Sequence, residues 1–182
     1  MLKKFLKNIP NSLTILRILL IPVLIMSFYF DGKAANYISS GIFIFASITD
    51  YVDGFLARHW SVQTNFGRML DPIADKMLVS STLLMLVDKK MAPVIPIVII
   101  LCREIFISGM REYLGSIKKT IHVKFIGKFK TAIQMCAIII LLLGSEVLGS
   151  NTEIIGLICL WSAALLTLGS GLSYFIEGIK HI

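Results

Sequence analysis

The sequence carries little charge. Charged residues make up 16% of its 182 residues and hydrophobic residues 56%, whereas soluble domains have about 25% and about 45–50%. This composition argues against a soluble globular domain and favours an integral membrane protein. Cysteine and histidine are also scarce, with three of each. None of them has the spacing of a metal-binding motif, and the cysteines lie in apolar segments, where we expect them to be small core residues.

Long apolar runs occupy most of the chain. Six segments approach the roughly 20 residues that a membrane span requires. They cover residues 12–30, 34–57, 68–87, 91–113, 127–148 and 154–177. We find no convincing signal-peptide cleavage site after the first segment, and therefore expect that segment to remain as a membrane helix.

The N-terminal residues differ from these runs. Met1–Asn8 combines three lysines with apolar residues, which is typical of an amphipathic helix on a membrane surface. Pro10 with Asn11 and Ser12 resembles the start signal of a new helix. The sequence thus predicts an all-α integral membrane protein, a six-transmembrane-helix bundle with a short N-terminal amphipathic surface helix, in a single domain over residues 1–182.

The basic residues predict the orientation of this bundle. The net charge is +7, and the basic residues lie at the ends of the apolar segments, which favours contact with anionic lipid headgroups over nucleic acid. If the N-terminus is cytoplasmic, twelve lysines and arginines fall on the cytoplasmic side and three on the other. The three are Lys33, Lys89 and Lys90. This asymmetry predicts a multi-pass protein of the cell membrane whose N-terminus faces the cytoplasm.

Four aspartates interrupt the apolar runs. Asp50 and Asp53 lie three residues apart, and Asp71 and Asp75 four apart, so on helices each pair shares a face. Carboxylates at membrane depth are costly and usually mark a functional site. Four that face one another repel unless cations intervene, and oxygen ligands suit Mg²⁺ or Mn²⁺. The pattern predicts a site for two divalent cations, of the kind that catalyses displacement at phosphorus, at the cytoplasmic ends of the second and third helices.

The spacing around the aspartates is specific. It reads Asp50-x2-Asp53-Gly54-x2-Ala57-Arg58-x8-Gly67-x3-Asp71-x3-Asp75. This resembles the signature of the CDP-alcohol phosphotransferase family, D-x2-D-G-x2-A-R-x8-G-x3-D-x3-D, at every fixed position. Eight fixed residues over 26 positions make a chance match very improbable.

The resemblance implies roles for individual residues. It implies that all four aspartates bind the metals and that Asp75 is also the general base for the acceptor hydroxyl. It further implies that CDP-diacylglycerol is the donor, and that a set of polar and small residues contacts it. These are Asn11, Thr14, Gly54, Arg58, Thr64 and Gly67. Alternatives remain for several: helix packing for the glycines, an interface anchor for Arg58, and helix capping by Asn11 or Ser12.

The second half of the chain bears on the acceptor. Arg103, Arg111, Lys124 and Lys128 could surround a phosphate group, which favours an acceptor with its own phosphate. Alternatively, Arg103 pairs with Glu104 or an aspartate, and the lysines serve topology. Several segments resemble the branch of the family that makes phosphatidylglycerophosphate. They are NIPNSLTILRILLIP, FGRMLDPIADK, REIFISGMREYLG and GKFKTAIQ. That resemblance implies glycerol 3-phosphate as acceptor, with phosphatidylglycerophosphate and CMP as products, and a homodimer.

Other functions stay open at this point. Within the family, the acceptor could be phosphatidylglycerol, as in a cardiolipin synthase, or an inositol phosphate, as in a phosphatidylinositol phosphate synthase. From another class, a cation or proton transporter would also place carboxylates in a membrane. The acids gather at one membrane face and do not form a path across it, which argues against transport.

Overall fold

The structure, a computed structural model, describes residues 2–59, 64–117, 126–149 and 151–179. Within these ranges the side chains of residues 2–10, 56–59, 65, 68, 126–128 and 146 lie outside the description. The described part is helical, with six helices and no strand, so the all-α prediction is confirmed. The helices are α1 Leu2–Ser27, α2 Lys33–His59, α3 Asn65–Asp88, α4 Val94–Ser116, α5 Ile126–Leu148 and α6 Thr152–Ile179.

The prediction of a separate N-terminal helix is wrong. Residues 2–27 form one helix that runs through Pro10. A proline inside a helix removes one backbone hydrogen bond but does not force the helix to end, and here the helix continues on both sides of Pro10. The helix starts nine residues before Asn11, so Asn11 and Ser12 are not its cap.

The chain forms two compact units, Met1–Lys89 and Lys90–Ile182. In the first unit α1 packs against both α2 and α3. The buried residues of α1 recur every three or four positions, as one face of a helix requires. They are Thr14, Arg17, Ile21, Leu24 and Phe28. Toward the C-terminus of α1 this face is apolar, whereas Thr14 and Arg17 make its N-terminal part polar. Helix α1 therefore places a hydroxyl and a guanidinium against α2 and α3.

In the second unit α6 packs against both α4 and α5. Gly156 of α6 lies against Leu141 and Ile140 of α5, so closely that a Cβ at position 156 would be 2.8 Å from Leu141 Cδ2. Phe175, near the other end of α6, meets Phe106 of α4 at 5.6 Å between ring centroids. The two ends of α6 therefore pack on different neighbours.

The helices differ in their fitness to cross a membrane. By length and apolar composition, α6 is the one helix among the described residues that could span a bilayer. Residues 11–27 of α1 and 129–145 of α5 form shorter apolar stretches. The six-span prediction is thus unconfirmed, although the helix count agrees with it.

Candidate active site

The four motif aspartates lie on two consecutive helices of the first unit. Asp50 and Asp53 belong to the last turns of α2, and Asp71 and Asp75 to the first half of α3. The side chain of Asp53 is 3% exposed and that of Asp50 is 40% exposed, so the pair runs from the interior to the surface. Asp71 is close enough for its charge to act on both of them. The structure thus brings three of the four aspartates together, and Asp75 lies half-buried one turn beyond Asp71.

A buried arginine of α1 joins the first pair. Arg17 is fully buried, its Nη1 lies 2.5 Å from Asp50 Oδ1, and its Nη2 donates a 2.5 Å hydrogen bond to Asp53 Oδ2. The Nη1 contact is an ion pair without hydrogen-bond alignment, and Nε has no hydrogen-bond partner among the described residues. Removing a guanidinium from water is costly unless carboxylates surround it, so these contacts are what allow Arg17 to sit inside the unit.

Arg17 was missed as a site residue by the sequence analysis. The signal was present, because a charged residue inside the apolar run LTILRILLIP requires a partner in the protein interior. What the sequence did not show is which of the four aspartates that partner would be.

Thr14 ties the same face of α1 to α3. Its hydroxyl donates a 2.6 Å hydrogen bond to Asp71 Oδ1. Thr14 lies three residues before Arg17, so both point from one helix face, one toward α3 and one toward α2. We call Thr14, Arg17, Asp50, Asp53 and Asp71 the aspartate cluster. Its geometry fixes the two halves of the motif relative to α1.

A second set of polar contacts lies beside this cluster. Thr64 caps α3 by accepting a 2.9 Å hydrogen bond from the Gly67 backbone N–H, and its hydroxyl donates to Asn11 Oδ1 at 2.7 Å. The alternative that Asn11 caps a helix is therefore wrong, because its side-chain oxygen instead accepts from Thr64. A Cβ on Gly67 would lie 3.0 Å from Asn11 Oδ1 and 3.7 Å from Asp71 Oδ2. Gly67 is buried, and its lack of a side chain is what allows Asn11, Thr64 and Asp71 to approach one another here.

The other residues predicted to contact the donor substrate are less well defined. Gly54 follows Asp53 on α2 and is half-buried. The side chain of Arg58 lies outside the described residues. Thr14 and Gly67 lie against Asp71, and Asn11 and Thr64 lie against Gly67. The role of these four residues in binding a nucleotide stays a prediction.

The donor atoms of the aspartate cluster fit a hard divalent cation by their chemistry, since carboxylate oxygens are the ligands such ions prefer. Arg17 pairs with Asp50 and Asp53, while Asp71 accepts a hydrogen bond from the neutral Thr14 hydroxyl, which leaves negative charge for a cation to balance. In this conformation Arg17 contacts one carboxylate oxygen of Asp50 and one of Asp53. Within the described ranges, no three His, Cys, Asp or Glu side chains are arranged around a common metal position.

The second unit holds a separate polar cluster. Arg103 Nη1 of α4 donates a 2.8 Å hydrogen bond to Glu104 Oε1, and Lys130 Nζ of α5 pairs with the same oxygen. Arg103 Nη2 donates to the Ser170 hydroxyl of α6 at 3.2 Å. We call these four residues the arginine cluster. The alternative that Arg103 pairs with Glu104 is confirmed, and the pairing leaves one carboxylate shared by two cations.

The other predicted acceptor residues lie near or outside this cluster. The guanidinium of Arg111 lies over the Tyr174 ring, 5.2 Å from its centroid, in cation–π geometry. Its charge also acts on Lys130. The side chains of Lys124 and Lys128 are outside the described residues. Lys130, Glu104 and Ser170 were not predicted as site residues, and a glutamate next to an arginine in an apolar run was their signal.

Comparison with known proteins gives consistent matches over most of the chain. Residues 7–169 match the family described as CDP-alcohol phosphatidyltransferase. A Rickettsia felis protein named CDP-diacylglycerol–glycerol-3-phosphate 3-phosphatidyltransferase is 46% identical over 172 residues, covering 93% of this chain and 94% of its own. Proteins of the same name from Pectobacterium atrosepticum, 40% identical over 178 residues with 96% of both chains covered, and from Haemophilus influenzae, 39% identical over 173 residues with 92% and 91% covered, are also similar.

Proposed function

The chain belongs to the CDP-alcohol phosphatidyltransferase family, and from that premise we propose that it transfers the phosphatidyl group of CDP-diacylglycerol to sn-glycerol 3-phosphate. The products are phosphatidylglycerophosphate and CMP, so the enzyme acts in phospholipid biosynthesis. The family predicted from the aspartate motif is confirmed by the match over residues 7–169. The substrates are those in the names of relatives that are 39–46% identical over more than nine-tenths of the chain.

The aspartate cluster is the observation that carries the proposal. It gathers three carboxylates of one motif, beside Gly67 and the Asn11–Thr64 contact. A diphosphate bound at this end of the first unit would lie between the Asn11–Thr64 side of the site and the carboxylates, whose charge would reach it through cations. Arg58, with its five N–H donors, would add a bidentate contact to a phosphate.

Asp50, Asp53, Asp71 and Asp75 would hold two divalent cations, Mg²⁺ or Mn²⁺. When bound, such ions neutralise the diphosphate and stabilise the phosphate that leaves. For these ions to bind, Arg17 must share with them, or release, the Asp50 and Asp53 oxygens with which it is now paired. Thr14 holds one oxygen of Asp71 and so leaves the other to face a ligand.

Asp75 is the proposed general base. The primary hydroxyl of glycerol 3-phosphate attacks the β-phosphorus of CDP-diacylglycerol, a new P–O bond forms, and the bond to CMP breaks with its electron pair on the CMP phosphate. The hydroxyl proton passes to the Asp75 carboxylate. Its position one turn after Asp71 on α3 places it on the same helix face as a proposed metal ligand.

The arginine cluster supports an acceptor that carries a phosphate. Arg103 and Lys130 share one carboxylate, so they have positive charge and N–H donors to offer a dianionic group. We assign Arg103 and Arg111, with Lys124 and Lys128, to the phosphate of glycerol 3-phosphate. Phosphatidylglycerol or inositol phosphate as acceptors are the alternatives that the same assay distinguishes.

We further propose that all six helices cross the cell membrane and that the aspartate cluster faces the cytoplasm. Large apolar side chains point outward from helices of both units, among them Leu19 of α1, Phe45 of α2 and Ile105 of α4. Such surfaces suit lipid tails. Along α3, Asp71 and Lys89 are 18 residues apart, about 27 Å, close to the thickness of a bilayer core. A homodimer is the proposed assembly.

The test is CMP release by the purified protein in detergent with CDP-diacylglycerol and Mg²⁺. We expect release to depend on glycerol 3-phosphate, and Asp71→Asn to abolish it while the helical circular-dichroism spectrum persists. Asp88→Asn, at the exposed far end of the same helix, is the matched control and should retain activity. Release only with phosphatidylglycerol or an inositol phosphate would refute the acceptor, and no release with any of them would refute the transferase.

A further inference from the structure

One face of α6 is polar although the helix is otherwise apolar. Thr167, Ser170, Gly171 and Tyr174 are spaced three, one and three residues apart, so they share a helix face. We call them the polar face of α6. Thr167 is fully buried and Tyr174 is 8% exposed. Since a helix in lipid gains nothing from polar groups without partners, this face requires an explanation.

Both arginines of α4 rest on this face. Arg103 donates to the Ser170 hydroxyl at 3.2 Å, and Arg111 lies over the Tyr174 ring. Eight residues separate the two arginines, about 12 Å along the helix, and the polar face receives one near its middle and the other at its end. The Ser170 hydroxyl itself donates to the Thr167 carbonyl at 3.1 Å. That bond fixes the hydroxyl so that its lone pair faces Arg103.

Gly171 is what allows Arg103 to lie there. A Cβ at position 171 would be 3.0 Å from Arg103 Cγ, 3.5 Å from Nε and 3.8 Å from Cδ. The stem of Arg103 therefore passes over the bare backbone of α6, and a methyl group would push it away by a few tenths of an ångström. Gly169, two residues earlier, has no atom within 4 Å of its would-be Cβ. Of these two glycines, Gly171 is therefore the one that Arg103 approaches closely.

The Arg103 guanidinium is fixed by hydrogen bonds that do not use all of its N–H donors. Its side chain is 10% exposed, its Nη1 reaches Glu104 and its Nη2 reaches Ser170. Its Nε has no hydrogen-bond partner among the described residues, and the same is true of the buried Thr167 hydroxyl. Nε itself faces the backbone of α6 at Gly171. A guanidinium has five N–H donors, so Nη1 and Nη2 each keep a second hydrogen that can bind an anion.

We propose that Ser170 and Gly171 are positioning residues that set the affinity for the phosphate group of the acceptor. They act through Arg103: Gly171 provides the space for its stem, and Ser170 fixes its Nη2. The alternative is that the polar face of α6 only packs helices together. The inference rests on the proposed function for the identity of the acceptor, but not for the existence of the anion site.

The first test uses inorganic phosphate and needs no turnover. Phosphate at millimolar concentration should raise the melting temperature of the wild-type protein and of Gly169→Ala. The rise should be lost or at least halved in Gly171→Ala and Ser170→Ala, because both disturb the guanidinium that binds the anion. Equal rises in all four proteins, or none in the wild type, would overturn the inference.

The second test uses kinetics. We expect the KM for glycerol 3-phosphate to rise roughly tenfold in Gly171→Ala and Ser170→Ala, as for a weakened charge-assisted hydrogen bond, with the KM for CDP-diacylglycerol and kcat within twofold. Gly169→Ala should resemble the wild type. A packing role alone would change stability or kcat without this split. If Gly171→Ala does not fold, Ser170→Ala, which removes only one oxygen, decides the result.

The two tests separate the inference from the proposed function. A wild-type protein that binds phosphate but releases no CMP with glycerol 3-phosphate refutes the proposed acceptor and leaves the positioning role standing. A wild type that is active with glycerol 3-phosphate while both α6 variants keep its KM refutes the positioning role alone.

Discussion

Arg17 places a full positive charge inside the first unit, 2.5 Å from one oxygen of each of two motif carboxylates. Replacing it by methionine keeps much of the volume but leaves Asp53, 3% exposed, without this cation. We expect Arg17→Met to destabilise the protein by about 3 kcal/mol, the cost of breaking a buried ion pair. The melting temperature, followed by circular dichroism in a metal-free buffer, should fall by roughly 10 °C.

Divalent cations should restore part of the stability that Arg17→Met loses. If cations and Arg17 serve the same carboxylates, Mg²⁺ or Mn²⁺ should raise the melting temperature of Arg17→Met more than that of the wild type, where Arg17 competes. Arg17→Lys is the control: it keeps the charge but reaches two carboxylates poorly with one ammonium, so its loss should be smaller. Equal stabilisation of all three proteins would show that Arg17 and the cations do not share ligands.

Single residues also show where the sequence was informative. The aspartates were predictable because their spacing is a pattern within one stretch, and the Arg103–Glu104 pair because the two are neighbours in sequence. The Arg17 contacts with Asp50 and Asp53 span 33 and 36 residues, and the Thr14 contact with Asp71 spans 57. Such pairings depend on which helix faces meet, and periodicity in one segment does not specify its partner.

Helix packing in the second unit depends on a glycine between α5 and α6. A Cβ at position 156 would lie 2.8 Å from Leu141 Cδ2 and 2.9 Å from Leu141 Cγ. Because Cγ is near the start of its side chain, Leu141 must shift as a whole. We expect Gly156→Ala to destabilise the protein by about 1–3 kcal/mol, as overpacked cores do, measured as a lower melting temperature in detergent.

The control for that variant is Gly109→Ala on α4, where a Cβ would have no neighbour within 4 Å. There alanine should be neutral or slightly stabilising, since it favours helix more than glycine does. A melting temperature that falls equally in both variants would mean that the loss comes from the helix backbone and not from the contact between α5 and α6.

The helices themselves were largely predictable, and their ends less so. The apolar runs indicated six helices, and α3 starts at the Thr64 cap that its sequence allows. The break expected at Pro10 did not occur, because the α1 backbone continues through it. Inside α5, Gly144 has φ 66° and ψ 177°, which departs from helical geometry at a residue that tolerates positive φ. A lone glycine in an apolar run does not reveal such a kink, since most glycines there remain helical.

Two features of the whole molecule disagree about the membrane. Among the described residues, α6 is the one helix whose length and composition suit a membrane span, whereas the basic residues alternate between the two sides as six spans require. The charges that lower the mean hydropathy of the other helices include those of the aspartate cluster and the arginine cluster. Their partners lie inside the protein, so these charges need not contact lipid. Within the first unit, Lys89 lies 4.7 Å over the Tyr29 ring, so the ends of α1 and α3 away from the aspartates lie together.

Cysteine labelling tests the six-span arrangement. We expect Asp31→Cys and Lys89→Cys, in a protein freed of its three native cysteines, to react with an impermeant maleimide in intact spheroplasts. Ile117→Cys, after α4, should react only once the membrane is permeabilised. If α6 were the only span, all three positions would lie on one side and label alike, which would refute the six-span arrangement.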